Sequence, residues 1–153
     1  MKKYRIMFVC HGNICRSPMA QFVFADILKN NKYEEKIEAD SAATSYEEIG
    51  NPLYPPACRV LDANGIKYHI TYAKRLEAKD YEKHDLFVCM DERNIRMIRT
   101  IFPNDSEGKI CKLLDFTDEK GDVSDPYYTR DFDVVFSDIK KGCQALYEHL
   151  TTK

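Results

Sequence analysis

The chain contains no tryptophan, and among its 153 residues only six are glycine and six proline. A composition so short of glycine and proline excludes collagen-like and low-complexity architectures. No apolar run approaches the roughly 20 residues that a membrane-spanning helix needs. Neither sign of charge prevails: 23 basic and 25 acidic side chains give a net charge of -2. The basic footprint expected of a nucleic-acid-binding surface is therefore missing. Six cysteines include no Cys-x-x-Cys pair, and the four histidines (His11, His69, His84, His149) do not cluster, so no metal site is expected. Too few apolar residues follow Met1-Lys2-Lys3-Tyr4 for a secretory leader. Cysteines without a leader point to free thiols in a reducing, cytoplasmic setting.

What is present is a rhythm of strand and helix. Tyr4–Val9 reads as a buried strand, and Pro18 as the opening of a helix that runs to Asn30-Asn31. Residues 37–41 form a second strand. A turn-rich loop over 44–56 then leads to a helix through Ala57, Val60 and Leu61 that stops at Gly65. Residues 66–84 suggest a short extended piece and a helical turn near Asp80. Leu86–Met90 is a continuous apolar run, hence a buried parallel strand. Asp91 is placed to cap a helix carrying Ile95, Ile98, Ile101 and Phe102, closed by Pro103. Ile110–Leu114 reads as the fourth strand. The final helix bears Phe132, Val135, Phe136, Ile139, Cys143, Leu146 and Leu150 at spacings of three and four. The expected fold is α/β, a doubly wound four-stranded parallel sheet with helices on both faces, in one domain over residues 1–153. Loops leaving parallel strands emerge at one edge, so those beginning at Cys10, Ser41, Asp91 and Asp115 should share a rim.

The chemistry concentrates in Val9-Cys10-His11-Gly12-Asn13-Ile14-Cys15-Arg16-Ser17-Pro18. A strand, a tight loop and a helix N-terminus aim backbone N–H groups at one centre and so bind an anion. Cys10 stands at the strand end, where those amides, the helix dipole and Arg16 all favour its thiolate. A thiolate beneath a bound phosphate ester is placed for in-line attack. Arg16 offers a planar fork to two phosphate oxygens. Ser17 can hydrogen-bond the departing sulfur, Gly12 allows close backbone approach or positive φ, and Asn13 tolerates the left-handed region. Taken singly, Cys10 would more often be a buried structural thiol; the whole run is far more specific than a Cys-x5-Arg spacing.

This run resembles the signature of the low-molecular-weight protein tyrosine phosphatases. Asp40-Ser41-Ala42-Ala43-Thr44, Met90-Asp91-Glu92-x-Asn94 and Asp125-Pro126-Tyr127-Tyr128 resemble further motifs of that family, in the same order. The resemblance implies hydrolysis of phosphotyrosine and other aryl phosphates through a phospho-cysteine, with no metal and no cofactor. Tyrosine-phosphorylated proteins would be the partners, inorganic phosphate the product, and a monomer the expected state. It makes Cys10 the nucleophile, Arg16 the phosphate binder and Asp125 the general acid. Asp115, Asp118, Asp122 and Asp131 share the acid's segment, and the motif singles out Asp125. A phenolic leaving group needs a proton, and a carboxylic acid beside a phosphate dianion can keep one through like-charge repulsion. Pro126 holds Asp125 extended.

Tyr46, Tyr127 and Tyr128 fall in rim loops and suit a flat phenyl ring. Ile14, where related phosphoarginine phosphatases carry threonine, favours phosphotyrosine together with the tyrosine pair. The resemblance also implies a Cys10–Cys15 disulfide as a reversible off-switch, with Cys15 otherwise a small packing residue. His11 is expected at the rim, tuning specificity. Thr71 and Lys74 stand where the family often has histidine and arginine, which puts in doubt a buried histidine bracing the cradle. Cys58, Cys89, Cys111 and Cys143 read as core. Three alternatives stay open: a phosphoarginine phosphatase, an arsenate reductase of the same fold, and a non-catalytic phosphotyrosine-binding module.

Overall fold

A strand that is apolar without a break must be covered on both faces, and the first strand shows how. In the computed structural model, which describes residues 3–152, Ile6, Phe8 and Cys10 enter one core cluster while Met7 and Val9 enter another. Met1, Lys2 and Lys153, the ends of the expected domain and the start of the expected leaderless N-terminus, lie outside the described residues. The chain runs β1 (Tyr4–Cys10), α1 (Arg16–Asn30), β2 (Ile37–Ala43), α2 (Pro55–Ala63), α3 (Asp80–Lys83), β3 (Leu86–Cys89) and α4 (Glu92–Ile101). It continues through β4 (Ile110–Lys112), a 3-10 turn (Leu113–Phe116), α5 (Pro126–Thr129) and α6 (Phe132–Thr151). The four strands form one sheet in the order β2-β1-β3-β4, every neighbouring pair parallel. Side chains of α1, α2 and α6 share the first cluster; those of α3 and α4 share the second. The expected single-domain, doubly wound architecture is present.

Because the chain leaves β1 toward β2 on one side and later returns to add β3 on the other, a crevice opens at the carboxyl end of β1. That is where doubly wound sheets bind ligands. Strand register places Cys10 beside Ala43, and Cys89 beside Lys112, along that edge.

Element boundaries shift for local reasons. Helix α1 begins at Arg16, two residues before Pro18, its first bond running from the Met19 amide to the Cys15 carbonyl at 3.0 Å. Pro18 thus lies inside the first turn, where a missing N–H removes nothing because those amides have no intrahelical acceptor. Strand β2 continues to Ala43, so its loop starts at Thr44 rather than Ser41. Strand β4 stops at Lys112; Leu113 and Leu114, expected to extend it, coil into the 3-10 turn and are buried. The loop expected from Asp115 consequently begins after Phe116. Gly65 closes α2 at φ 69°, as its position suggests.

The 3-10 turn also fixes one residue of α6. A Cβ added at Gly142 would meet Leu113 Cγ at 2.4 Å. Alanine ordinarily strengthens a helix relative to glycine by up to about 1 kcal/mol. Here overpacking outweighs that gain, and Gly142→Ala is expected to destabilise the protein by about 1–3 kcal/mol. A thermal midpoint unchanged or raised in that variant would contradict the packing described.

Candidate active site

The loop from His11 to Cys15 wraps around the Cys10 sulfur. Its outward-facing carbonyls are taken by a neighbouring segment: Thr44 N–H donates to Cys10 O at 3.0 Å, Ser45 N–H to His11 O at 3.1 Å and Tyr54 N–H to Ile14 O at 2.9 Å. Of the backbone N–H groups from His11 to Cys15, only that of Asn13 has an acceptor among the described residues, and the acceptor is Cys10 Sγ at 3.3 Å. Unclaimed amides clustered round a sulfur at the start of a helix form an anion cradle. The left-handed residue that lets the loop close is Asn13, at φ 62°, not Gly12. Gly12 serves by close approach: a Cβ there would stand 3.1 Å from Glu48 Cγ.

Asn13 also braces the cradle. Its Nδ2 donates to Ser17 Oγ at 2.8 Å, and its Oδ1 accepts from the Lys74 amide at 3.1 Å. As a thiol, Cys10 Sγ donates to the same Ser17 oxygen at 3.1 Å. Since Ser17 Oγ already accepts from Asn13, its own hydrogen is available to a Cys10 thiolate. The brace thus comes from the Lys74 backbone; Thr71, in the same segment, has a buried hydroxyl without a partner among the described residues.

Arg16 is 3% exposed. Its Nη1 donates to Asp91 Oδ2 at 2.7 Å and to the Val123 carbonyl at 2.9 Å, and its Nη2 lies 3.5 Å from Asp125 Oδ2. Burial opposes the guanidinium charge, but Cys10, Asp91 and Asp125 outweigh it and raise its pKa further. One side of the fork is thus fastened before any ligand arrives. Asp91 does two things at once: Oδ2 holds Arg16, and Oδ1 caps α4 by accepting the Asn94 amide at 2.8 Å. Asn94 completes the capping box, its Oδ1 accepting from the Asp91 amide at 3.1 Å. The helix cap is visible in the sequence; its grip on an arginine 75 residues away is not.

Asp125 approaches from the opposite side of the crevice. Extended at φ -85° and ψ 113° ahead of Pro126, it caps α5 by accepting the Tyr127 amide at 3.0 Å. Its chain is set by Val123, whose N–H donates to Met90 O at 2.9 Å and whose side chain is fully buried. Cys10, Arg16 and Asp125 therefore line one cleft of about 810 Å³, together with Ile14 and Cys15.

The rim differs from expectation. Tyr127 and Tyr128 line the cleft, exposed and edge to face with ring centroids 5.1 Å apart. Tyr46 is not among the lining residues; its ring packs under the Arg75 guanidinium at 4.4 Å. The β2 side of the cleft is formed instead by Glu47, Glu48 and Tyr54. His11 lies at the rim as expected, its Nε2 paired with Glu47 and its Nδ1 buried without a partner among the described residues. Arg93 and Arg130 stand on the β3–β4 side. None of these four charged groups was singled out by the sequence, because each lies in a loop or first helical turn where charge is ordinary.

Cys15 lines the cleft with its thiol pushed up to about 12, first by burial and then by the neighbouring Cys10. Cys89 and Cys143 are buried, whereas Cys58 and Cys111 are half-buried against the core. Cys89 and Cys111 lie on adjacent strands yet join opposite core clusters, so they cannot relay a disulfide. No group of three or more potential metal ligands occurs among the described residues, nor any helix long and apolar enough to cross a membrane.

The family model described as low molecular weight phosphotyrosine protein phosphatase matches residues 5–153. The low molecular weight protein-tyrosine-phosphatase YfkJ of Bacillus subtilis is 38% identical over 143 residues, covering 92% of each chain. PtpA of Staphylococcus aureus, named likewise, is 34% identical over 146 residues, 95% of this chain and 92% of its own. The crystal structure of YfkJ superposes with a TM-score of 0.93 over 100% of this chain and 99% of that one.

Proposed function

The chain belongs to the low molecular weight phosphotyrosine protein phosphatase family, and on that premise we propose that it hydrolyses phosphotyrosine in proteins through a phospho-cysteine on Cys10. The observation that carries the reading is a buried sulfur ringed by unclaimed amides, with Arg16 and Asp125 converging on it.

In the first step Cys10 Sγ attacks phosphorus, the bond to the phenolic oxygen breaks, and Asp125 passes its proton to that oxygen. The cradle amides and Arg16 bear the equatorial oxygens, where transition-state charge collects. In the second step water attacks the phospho-cysteine, Asp125 takes a proton from it, and the sulfur leaves as a thiolate hydrogen-bonded by Ser17. Inorganic phosphate is the product. The exposed Tyr127 and Tyr128 rings and Ile14 offer apolar walls for a phenyl group, which favours phosphotyrosine over phosphoarginine. Six free cysteines support a reducing, cytoplasmic setting. Purified protein should turn over p-nitrophenyl phosphate and a phosphotyrosyl peptide well, and a phosphoarginyl peptide poorly. The reverse order would move the assignment to arginine.

Cys15 supports reversible oxidation at the same site. Its raised pKa keeps it protonated near neutrality, so peroxide meets Cys10 first and oxidises it to the sulfenic acid. Attack by the Cys15 sulfur then expels water and forms a disulfide that a thiol reductant reopens. After peroxide followed by reductant, Cys15→Ser should recover less activity than wild type. Equal recovery would leave Cys15 a packing residue.

A further inference from the structure

We propose that Lys112 is a positioning residue for the acid loop, fastening Asp122 to Glu92 so that Asp125 meets the leaving-group oxygen; the inference rests on the phosphatase reading above. Lys112 is the last residue of β4, at the carboxyl edge of the sheet, and its side chain is only 11% exposed. Its Nζ donates to Glu92 Oε2 at 2.7 Å and to Asp122 Oδ1 at 2.9 Å. The same Asp122 oxygen accepts the Glu92 amide at 3.2 Å. Both carboxylates raise the lysine's pKa, so the ammonium is retained throughout the working range.

The arrangement gains meaning from the neighbouring residues. Arg16 holds Asp91 and the Val123 carbonyl, while Lys112 holds Glu92 and Asp122. Two cations therefore clasp the same two chain segments at adjacent residues, and Asp125 lies two residues beyond Val123. During turnover Arg16 must also serve the phosphate oxygens. Lys112 makes no contact with the reacting groups and keeps the segment in register independently. Ion pairs this close to the surface add little stability; the effect expected here is geometric, since small displacements of a catalytic group cost up to about 10²-fold in rate.

A misplaced acid can be told from a weakened fold by the leaving group. Phenolate needs its proton early, whereas p-nitrophenolate, far less basic, departs with little help. Lys112→Met should lower kcat/KM for phenyl phosphate by roughly 10–10²-fold while changing p-nitrophenyl phosphate much less, and Lys112→Arg should restore most of the loss. In an Asp125→Asn background Lys112→Met should add nothing further. Asp122→Asn should reproduce the selective loss, and carries the test if Lys112→Met does not fold. Equal losses on both substrates, or a full additional loss in the Asp125→Asn background, would overturn the proposal. Wild-type protein inert toward p-nitrophenyl phosphate would instead defeat the phosphatase reading beneath it.

Discussion

Cys10→Ser is expected to reduce hydrolysis of p-nitrophenyl phosphate to background while leaving phosphate-ester binding largely intact. The hydroxyl that replaces the thiol has no base hydrogen-bonded to it: the groups within hydrogen-bond reach of Cys10 Sγ are the Asn13 amide and the Ser17 hydroxyl, which donate or share hydrogens. Amides and an arginine stabilise a thiolate readily but cannot make an alkoxide from serine near neutrality. The cradle itself does not depend on the sulfur, because its carbonyls are held by Thr44, Ser45 and Tyr54 and its turn by Asn13. Calorimetry with a non-hydrolysed phosphotyrosyl peptide should therefore show binding by the variant. Turnover comparable with wild type would refute covalent catalysis at this position.

The second large effect falls on Asp125. Asp125→Asn preserves the α5 cap, since an amide oxygen can still accept the Tyr127 amide. It removes the transferable proton. The expected loss is about 10²–10⁴-fold in kcat/KM for phenyl phosphate, the usual scale of general acid catalysis. The loss should shrink as the leaving phenol becomes more acidic. A variant that kept the wild-type rate on phenyl phosphate would place the proton source elsewhere. The other carboxylates of the site are engaged elsewhere: Asp91 with Arg16 and the α4 cap, Glu47 with His11, and Glu48 with the Asn51 side chain.

These two residues mark where sequence reasoning reached and where it stopped. The cradle was legible because its chemistry is contiguous: a strand end, a thiol, a left-handed asparagine, an arginine and a helix start follow one another within ten residues. The sheet was legible because β1 and β3 are apolar runs too short for helices. Asp125 needed the family motif, since four other aspartates share its segment and only the fold shows that Val123 and Pro126 aim it. Long-range polar pairing stayed hidden. Asp91 reads as a helix cap and is one, but its second oxygen meets Arg16 only because β1 and β3 are neighbours. The Lys112 clasp is hidden for the same reason, as β4 pairs with β3 rather than with its own following loop.

Tyr46 departs from the expected rim for a different cause. An aromatic in a rim loop has no period to fix its direction, and the cation-π contact with Arg75 turns it away from the cleft. The end of β4 is not legible in the sequence because Leu113 and Leu114 are apolar whether they extend a strand or coil beneath α6. Only Gly142, which lets Leu113 approach α6, distinguishes the two, and it lies far along the chain.

The proposed mechanism requires that phosphorus be carried on the Cys10 sulfur. Rapid denaturation of the protein during turnover of an aryl phosphate, followed by phosphorus NMR and peptide mapping, tests it directly. A thiophosphate resonance mapping to the peptide that contains Cys10 is expected in wild type and not in Cys10→Ser. A phosphoryl group on His11, or full turnover with no protein-bound phosphorus, would contradict it.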